Sequence, residues 1–528
     1  MVLNPSRQVE RRWQTSWRPT SQWRAWPGPR RHRPALAPRP AAPRSTKGTT
    51  PSGPPSAGGN PLSPPDVRTG VRSGVPLRAR VGGSTSASVE GWGPDGRRVV
   101  VARVDPGHRR GALGEADSAT LMTAAAMALQ LRLPLIAVLA SSGADVHDGV
   151  AALHGWGTAA RAMAACSGVV PVLLAVVGPA MSGPALLLGM ADVVVMTANA
   201  VAYVSGPGGV AQMTGQRLAP MELGGAAVHS RSTGVAALVA ADAREADGML
   251  AELLTYLPDH ADAEAPLDVV AGGPAAGFAD PPDRPTPELR NLLPASTAGS
   301  YEVREVARAI ADHGEVLELR AGWAPQLVTA LARVDGRPVG IVANQPRAMA
   351  GTLDIAASQK GGRFVAFCDA FNLPIVTLVD TPGFMPGKDL EWRGMIRHGA
   401  QLVYAYAEAT VPRVCLIMRK AYGGAYIVMD SKRMGNDICL AWPSAEVAVM
   451  GAQGAVQILH RGADADTQAR LVDEYLVDYL NPYTAAERGY VDVVIDPADT
   501  RAVIARSLAI LASKREHLIP RKHGNGPL

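Results

Sequence analysis

Cysteine is scarce in this chain: four in 528 residues, at positions 166, 368, 415 and 439, with no Cys-x-x-Cys pair. That excludes a zinc ribbon and argues against a disulfide framework, leaving single buried thiols in a reducing compartment, the cytoplasm. Also missing is a run of about 20 consecutive apolar residues, the length a membrane span requires. Pro171, Gly178-Pro179 and Asp192 interrupt the best candidates, so no membrane association is expected. A basic body is absent too. Residues 1–60 carry ten Arg and one Lys against the single acid Glu10, and the rest of the chain holds 41 basic against 46 acidic groups, so the net charge of +5 misleads. Nucleic-acid binding thereby loses its electrostatic basis. Four catalytic signatures are missing as well: the Gly-x-x-x-x-Gly-Lys-Ser/Thr phosphate loop, the His-Glu-x-x-His zinc helix, the Gly-x-Ser-x-Gly nucleophile elbow, and Gly-x-Gly-x-x-Gly after a first strand. No metal is expected, and side-chain catalysis is poorly signalled. His154, His229 and His398 are isolated and are read as structural or surface residues.

What is present is a duplication. Leu133-Pro134-Leu135-Ile136 opens an apolar run that ends at Ser142-Gly143, and Leu373-Pro374-Ile375-Val376 opens another that ends at Pro382-Gly383. Val170-Pro171 and Val411-Pro412 start a second pair of runs. These end in small-residue turns, Gly178-Pro-Ala-Met-Ser-Gly183-Pro and Ala421-Tyr-Gly-Gly-Ala-Tyr426, and a third pair of turns follows at Gly206 and Gly451. The offset stays between 240 and 245 residues, far longer than a solenoid repeat, so two homologous domains are the natural reading.

The length suits two or three domains, and 47% hydrophobic with 19% charged residues is ordinary for a globular protein. Residues 1–70 form an Arg/Pro-rich leader with no apolar periodicity. Disorder is expected there, and the leader is read either as an upstream-extended start or as an organelle transit peptide. Residues 80–257 form a first domain in which buried strands at 97–103, 135–139 and 172–177 alternate with helical stretches at 118–131 and 149–166. Residues 258–300 are a Pro/Ala/Gly/Asp-rich linker. Residues 301–528 form a second domain with a helix near 301–313 and strands at 339–343, 375–379 and 414–418. Strands alternating with helices imply βαβ units, parallel pairing and an α/β fold.

The chemistry that stands out is backbone chemistry. In Arg419-Lys420-Ala421-Tyr422-Gly423-Gly424-Ala425-Tyr426 a buried strand runs into a turn of small residues, with a helical pattern from about Tyr426. Such a turn lets main-chain N–H groups converge on a ligand oxygen at the positive end of a helix, which is how an oxyanion hole is built. A close-packed strand-to-helix turn gives the same sequence without a ligand; the paired turn at Ser182-Gly183 favours the binding reading.

These residues resemble the carboxyltransferase (β) subunit of biotin-dependent acyl-CoA carboxylases, of the propionyl-CoA/acetyl-CoA carboxylase β-chain type. The resemblance is carried by Asp335-Gly-Arg-Pro-Val-Gly-Ile-Val-Ala-Asn-Gln-Pro346, Asp380-Thr-Pro-Gly-Phe-Met-Pro-Gly387, Tyr404-Ala-Tyr-Ala-Glu-Ala-Thr-Val-Pro412 and 419–430. Leu440-Ala-Trp-Pro-Ser-Ala-Glu-Val-Ala-Val-Met-Gly451, Asn481-Pro-Tyr-Thr-Ala-Ala-Glu-Arg-Gly489 and the ending Lys522-His-Gly-Asn-Gly-Pro-Leu528 add to it.

The resemblance implies two tandem crotonase-like (ClpP/crotonase) βαβ-superhelix domains, a ring-shaped homohexamer, and a site between the N-domain of one subunit and the C-domain of another. It further implies transfer of a carboxyl group from carboxybiotin to the α-carbon of a short-chain acyl-CoA (acetyl-, propionyl- or butyryl-CoA), giving malonyl- or methylmalonyl-CoA. Gly424 and Ala425 are then the biotin-side donors, and Ser182 and Gly183 fall on the acyl-CoA side. Tyr422, Gly423, Pro382, Gly383 and Phe384 line the substrate site. An apolar Ile427 resembles members that accept acetyl through butyryl groups. With no Met-Lys-Met biotin-attachment motif and no ATP loop, the chain needs a biotin carboxylase/biotin carboxyl carrier α-subunit as partner; the CoA thioester is its substrate.

The first half departs from this pattern. Gly143-Ala144-Asp145 stands where the family reads Gly-Ala-Arg, replacing a cation with an anion. Pro184 stands opposite Ala425 and has no N–H to donate. If that N–H belongs to the thioester hole, its loss costs about 3 kcal/mol, or roughly 100-fold in rate. Two other readings follow: a decarboxylase subunit coupled to a membrane sodium pump, which uses the same two turns, and a non-catalytic scaffold subunit with a degenerate N-domain.

Overall fold

The computed structural model describes residues 75–76, 83–93, 95–267, 280–294, 296 and 299–527. The leader read over 1–70 lies outside the described residues, as do 268–279 in the middle of the linker. Among the described residues sixteen strands form two sheets. The first contains β1 (Val75–Pro76), β2 (Thr85–Trp92), β3 (Arg97–Val104), β4 (Leu135–Ser141), β5 (Val172–Met181), β6 (Val193–Thr197), β7 (Val201–Tyr203) and β8 (Leu238–Ala240), in the order 1-2-3-4-5-6-8 with β7 on β5. The second contains β9 (Val316–Glu318), β10 (Leu327–Val334), β11 (Arg337–Asn344), β12 (Ile375–Thr381), β13 (Arg413–Tyr422), β14 (Ile438–Ala441), β15 (Glu446–Ala448) and β16 (Val493–Val494). Its order is 16-14-13-12-11-10-9, with β15 on β13. Each sheet begins antiparallel and continues parallel. The parallel crossovers carry helices such as Glu115–Leu131 and Val150–Cys166 in the first half, and Ile355–Ala370 and Met395–Glu408 in the second.

The Leu-Pro and Val-Pro pairs of the sequence mark strand entries. Proline lacks the N–H that a ladder needs, so it sits just before a strand and contributes only its carbonyl. Pro134 accepts from Val100 and Pro374 from Gly340; Pro171 accepts from Leu135 and Pro412 from Ile375, all at 2.8–2.9 Å. All four cysteines are buried. Among the described residues no helix is long and apolar enough to cross a membrane.

The two halves share a core. One buried cluster joins Trp92, Leu173, Leu250 and Leu253 of the first half to Leu331, Phe364, Phe371 and Ile417 of the second, and each half also has a core of its own. The joint is polar at its edges. Arg363 reaches Asp192 at 3.1 Å, the Arg320 Nε donates to the Gly234 carbonyl at 2.8 Å, and Arg333 lies 4.4 Å over the Tyr256 ring. The described ends of the linker are tied to the sheets. Arg97 pairs with Asp259 and Asn372 donates to the Ala261 carbonyl, while the Thr286 N–H donates to Ala498.

Lys360 holds, from within the second half, the loop whose Arg320 and Trp323 meet Gly234 of the first half. Its side chain is 1% exposed, and Nζ donates to the carbonyls of Arg320, Trp323 and Ala324 at 2.9, 2.9 and 3.4 Å. Among the described residues no carboxylate touches it, and burial pushes its pKa down to about 7. For a base with a lowered folded-state pKa the unfolded chain binds the extra proton. Stability should therefore rise as pH climbs from about 7 toward the unfolded value of ~10.4. Lys360→Met should flatten that part of the melting-temperature-versus-pH curve relative to wild type; an unchanged slope would assign the dependence to another group.

Candidate active site

The two small-residue turns lie at equivalent places, at the carboxyl ends of parallel strands where α/β sheets open a crevice. In the second half, β13 pairs with β12 in steady register up to Val379 opposite Ile417 and then shifts, so that Thr381 faces Ala421. Two extra residues are absorbed on β13, whose end (420–422) joins β15 instead. The first half repeats this: Leu139 faces Val176, Ser141 faces Ala180, and 179–181 join β7. The register equates Ala180 with Ala421, and so Ser182 with Gly423, Gly183 with Gly424 and Pro184 with Ala425.

In the second half, Gly423 turns the chain at φ +59°, and a helix runs over Gly423–Val428. The helical pattern expected from about Tyr426 thus begins three residues earlier and is only six residues long. Glycine's poor helix propensity matters little at a helix start, where the turn itself demands it. The first N–H groups of a helix have no carbonyl within it to bond, so those of Gly424 and Ala425 are open to a ligand. Gly424 is exposed and Ala425 fully buried. A cavity of about 600 Å³ adjoins the turn. Gly423, Gly424 and Ile427, the last 43% exposed, form part of its wall, which also includes Val447, Val449, Tyr475 and Tyr490 and the cations Lys432, Arg433 and Arg488. Pro382, Gly383, Phe384 and Tyr422 do not line this cavity. Phe384 instead flanks Gly424, its Cε2 3.7 Å from where a Gly424 Cβ would stand. The Tyr422 phenol donates to Glu446, tying the end of β13 to β15.

A buried ion pair braces the register shift. Asp380 accepts from the Arg419 Nε at 3.0 Å and from the Lys420 N–H at 3.1 Å, and the Arg419 guanidinium lies 5.2 Å over the Tyr301 ring. Burial raises the Asp380 pKa, opposed by Arg419. The equivalent residues in the first half are Ala140 and Gly178; a Cβ on Gly178 would stand 3.2 Å from that of Ala140.

The first-half turn keeps the path and changes the donors. Ser182 adopts φ +60°, ψ −141°, a conformation suited to glycine that costs another residue about 1–3 kcal/mol. Its N–H donates to Tyr203 at 3.0 Å, and the Ala185 N–H returns to the Ser182 carbonyl at 3.0 Å. Pro184 has no N–H, which leaves Gly183 as the one open donor where the second half has two. Asp145 is not an unpaired anion. It is buried against Arg109, which donates to its carboxylate. Burial works to raise the Asp145 pKa, but hydrogen bonds from Arg109 and from the His147 N–H hold it below the ordinary value. Arg109 thus neutralises the reversed charge at 145, and the pair carries no net charge. His229 is structural, bonded at 2.8 Å to Thr233 and to the Ala202 carbonyl.

Residues 84–526 match the carboxyl transferase domain family. The chain belongs to the carboxyl transferase family. It is 44% identical over 456 residues to the propionyl-CoA carboxylase beta chain of Saccharopolyspora erythraea, covering 83% of each chain. It is 41% identical over 442 residues to the methylmalonyl-CoA decarboxylase subunit alpha of Veillonella parvula, covering 83% of this chain and 85% of that one. The crystal structure of the transcarboxylase 12S hexamer, with methylmalonyl-coenzyme A and methylmalonic acid bound, superposes with a TM-score of 0.81 at 41% identity, covering 84% and 85%. The fold is accordingly two tandem crotonase-like carboxyl transferase halves.

Several contacts of this carboxyl transferase were not visible in sequence. Trp156 packs on the Gly183 turn from the helix Val150–Cys166, and Tyr475 and Tyr479, one helical turn apart, stack at 4.9 Å beside the cavity. A Cβ on Gly183 would stand 2.6 Å from the Trp156 indole, whereas one on Gly424 meets only ordinary contact. Gly183→Ala should therefore destabilise the protein by about 1–3 kcal/mol and lower its melting temperature, while Gly424→Ala should melt close to wild type.

Proposed function

We propose that this protein is the carboxyltransferase subunit of a biotin-dependent acyl-CoA carboxylase, carboxylating acetyl-, propionyl- or butyryl-CoA at the α-carbon. Malonyl-CoA and methylmalonyl-CoA are the products from the first two. The observation that carries this reading is the pair of equivalent turns with open N–H donors, one of them beside a cavity of about 600 Å³. When bound, carboxybiotin supplies the activated carboxyl group and the nitrogen that receives the α-proton. The fit is good on this side: Phe384 is the one side chain near a Cβ built at Gly424, at an ordinary contact of 3.7 Å, and the cavity wall combines apolar and aromatic residues with the cations Lys432, Arg433 and Arg488. Gly424 and Ala425 hold the ureido oxygen as negative charge develops on it, and the first-half turn does the same for the thioester oxygen as the acyl carbon becomes an enolate. The work is done by fixed backbone dipoles, which need no titrating side chain and no reorganisation during the reaction.

The partner in this reading is a biotin carboxylase/biotin carboxyl carrier α-subunit, since the chain has no means of carrying or loading biotin. The assembly is a homohexamer in the cytoplasm, with each site completed by a second subunit. The apolar Ile427 on the cavity wall supports acceptance of acetyl through butyryl groups.

The missing Pro184 donor favours a second reading, a scaffold subunit beside an active homologue; similarity to a methylmalonyl-CoA decarboxylase subunit favours a third, catalysis in the decarboxylating direction. The deciding measurement is carboxylation of free biotin from malonyl-CoA or methylmalonyl-CoA by the purified protein. Turnover is expected and removes the scaffold reading; a folded hexamer without turnover establishes it. A membrane partner in the purified complex would support the decarboxylase. In the same assay Gly424→Val, whose branches meet Phe384 and cover the turn, should lose about 100-fold or more, and Gly424→Ala far less.

A further inference from the structure

The first-half turn lacks one donor and carries one side chain that the second-half turn does not. Pro184 removes the N–H that Ala425 provides, and Ser182 places a hydroxymethyl group where Gly423 has none. The serine is exposed, and its Cβ lies 3.3 Å from where a Cβ on Gly143 would stand. The side chain therefore faces the gap between the β4 and β5 turns. At the equivalent gap in the second half, Gly383 has open space in front of it. Among the described residues the Ser182 hydroxyl has no hydrogen-bond partner. Its backbone, at φ +60°, is one that glycine would occupy without strain. An exposed hydroxyl with no protein partner among the described residues, carried on a strained backbone, thus stands two residues from the lost N–H, on the same turn.

We propose that the Ser182 hydroxyl is the second hydrogen-bond donor to the acyl-CoA thioester oxygen, replacing the main-chain N–H lost at Pro184. This rests on the functional reading above and makes Ser182 a catalytic residue through its side chain. The hydroxyl donates its hydrogen bond as negative charge gathers on the oxygen and keeps its proton throughout, so no atom is exchanged with the substrate. A rotating O–H reaches the oxygen from a slightly different direction than a fixed N–H, which lets the turn tolerate proline at 184.

The test compares wild type with S182A, S182G and S182G/P184A in the biotin-carboxylation assay, with a melting curve for each. S182A should lose about 100-fold in kcat with little change in KM for the CoA thioester, because the donor acts on charge that is absent from the ground state. S182G should lose similar activity but melt higher than wild type, since the strain is relieved. S182G/P184A rebuilds the Gly-Gly-Ala sequence of the second-half turn and should recover most of the rate. Wild-type kcat in S182A, or a folded double variant no faster than S182G, would overturn the proposal while leaving the function standing. An inactive wild type would overturn both.

Discussion

Both turns depend on a strand that changes partner before it ends. A parallel strand held in register by one neighbour along its whole length would carry its terminal residues into the sheet, with every N–H spent on the ladder. Here β5 and β13 each gain two residues against their neighbours and complete their pairing with a short third strand. The chain then leaves the sheet at a residue with positive φ, and the next N–H groups, those of Gly424 and Ala425 in the second half and of Gly183 alone in the first, come at a helix start where the helix offers them no acceptor. The register shift thus determines where the open donors are, and it is braced differently in the two halves. A buried Asp380–Arg419 pair fills the space in one, and Ala140 against Gly178 closes it in the other.

A good part of this was legible in the sequence. The Leu-Pro and Val-Pro pairs located the central strands, because proline at a strand entry has a backbone reason to be there, and the repeat spacing located the equivalent turns. The glycine pair at 423 and 424 pointed to close approach of backbone to ligand, and the missing N–H at Pro184 is a covalent fact that needs no structure. What sequence could not supply were contacts between residues far apart in the chain. Arg109 neutralising Asp145, Trp156 lying on Gly183, and Tyr475 of the helix Ala465–Asp478, with Tyr479 just beyond it, lining the same cavity as Ile427 all depend on how elements pack. Asp145 is the instructive case: read along the chain it is a reversed charge, and in space it is half of a pair. The helix at the second turn begins three residues before the helical pattern at Tyr426, since at a first turn the freedom of Gly423 at positive φ is what starts it.

The two halves have diverged in their use of the same path. The second half retains the simplest version, with two glycines, an alanine and open N–H groups beside a large cavity. The first half follows that path with a serine in a glycine conformation, a proline, and an ion pair imported from a neighbouring loop. Such drift is tolerated where the backbone path is fixed by register rather than by the turn residues themselves.

The common core has a consequence for how the molecule holds together. Because Leu173 and Leu253 are buried in the same cluster as Leu331 and Phe364, and Arg320 and Arg363 bond across the same joint, the covalent link between the halves contributes little to keeping them together. A chain broken between Leu267 and Asp280 would persist as a two-fragment complex, and neither fragment made alone would be soluble in its native form, since each would present to water the apolar face that the other now covers.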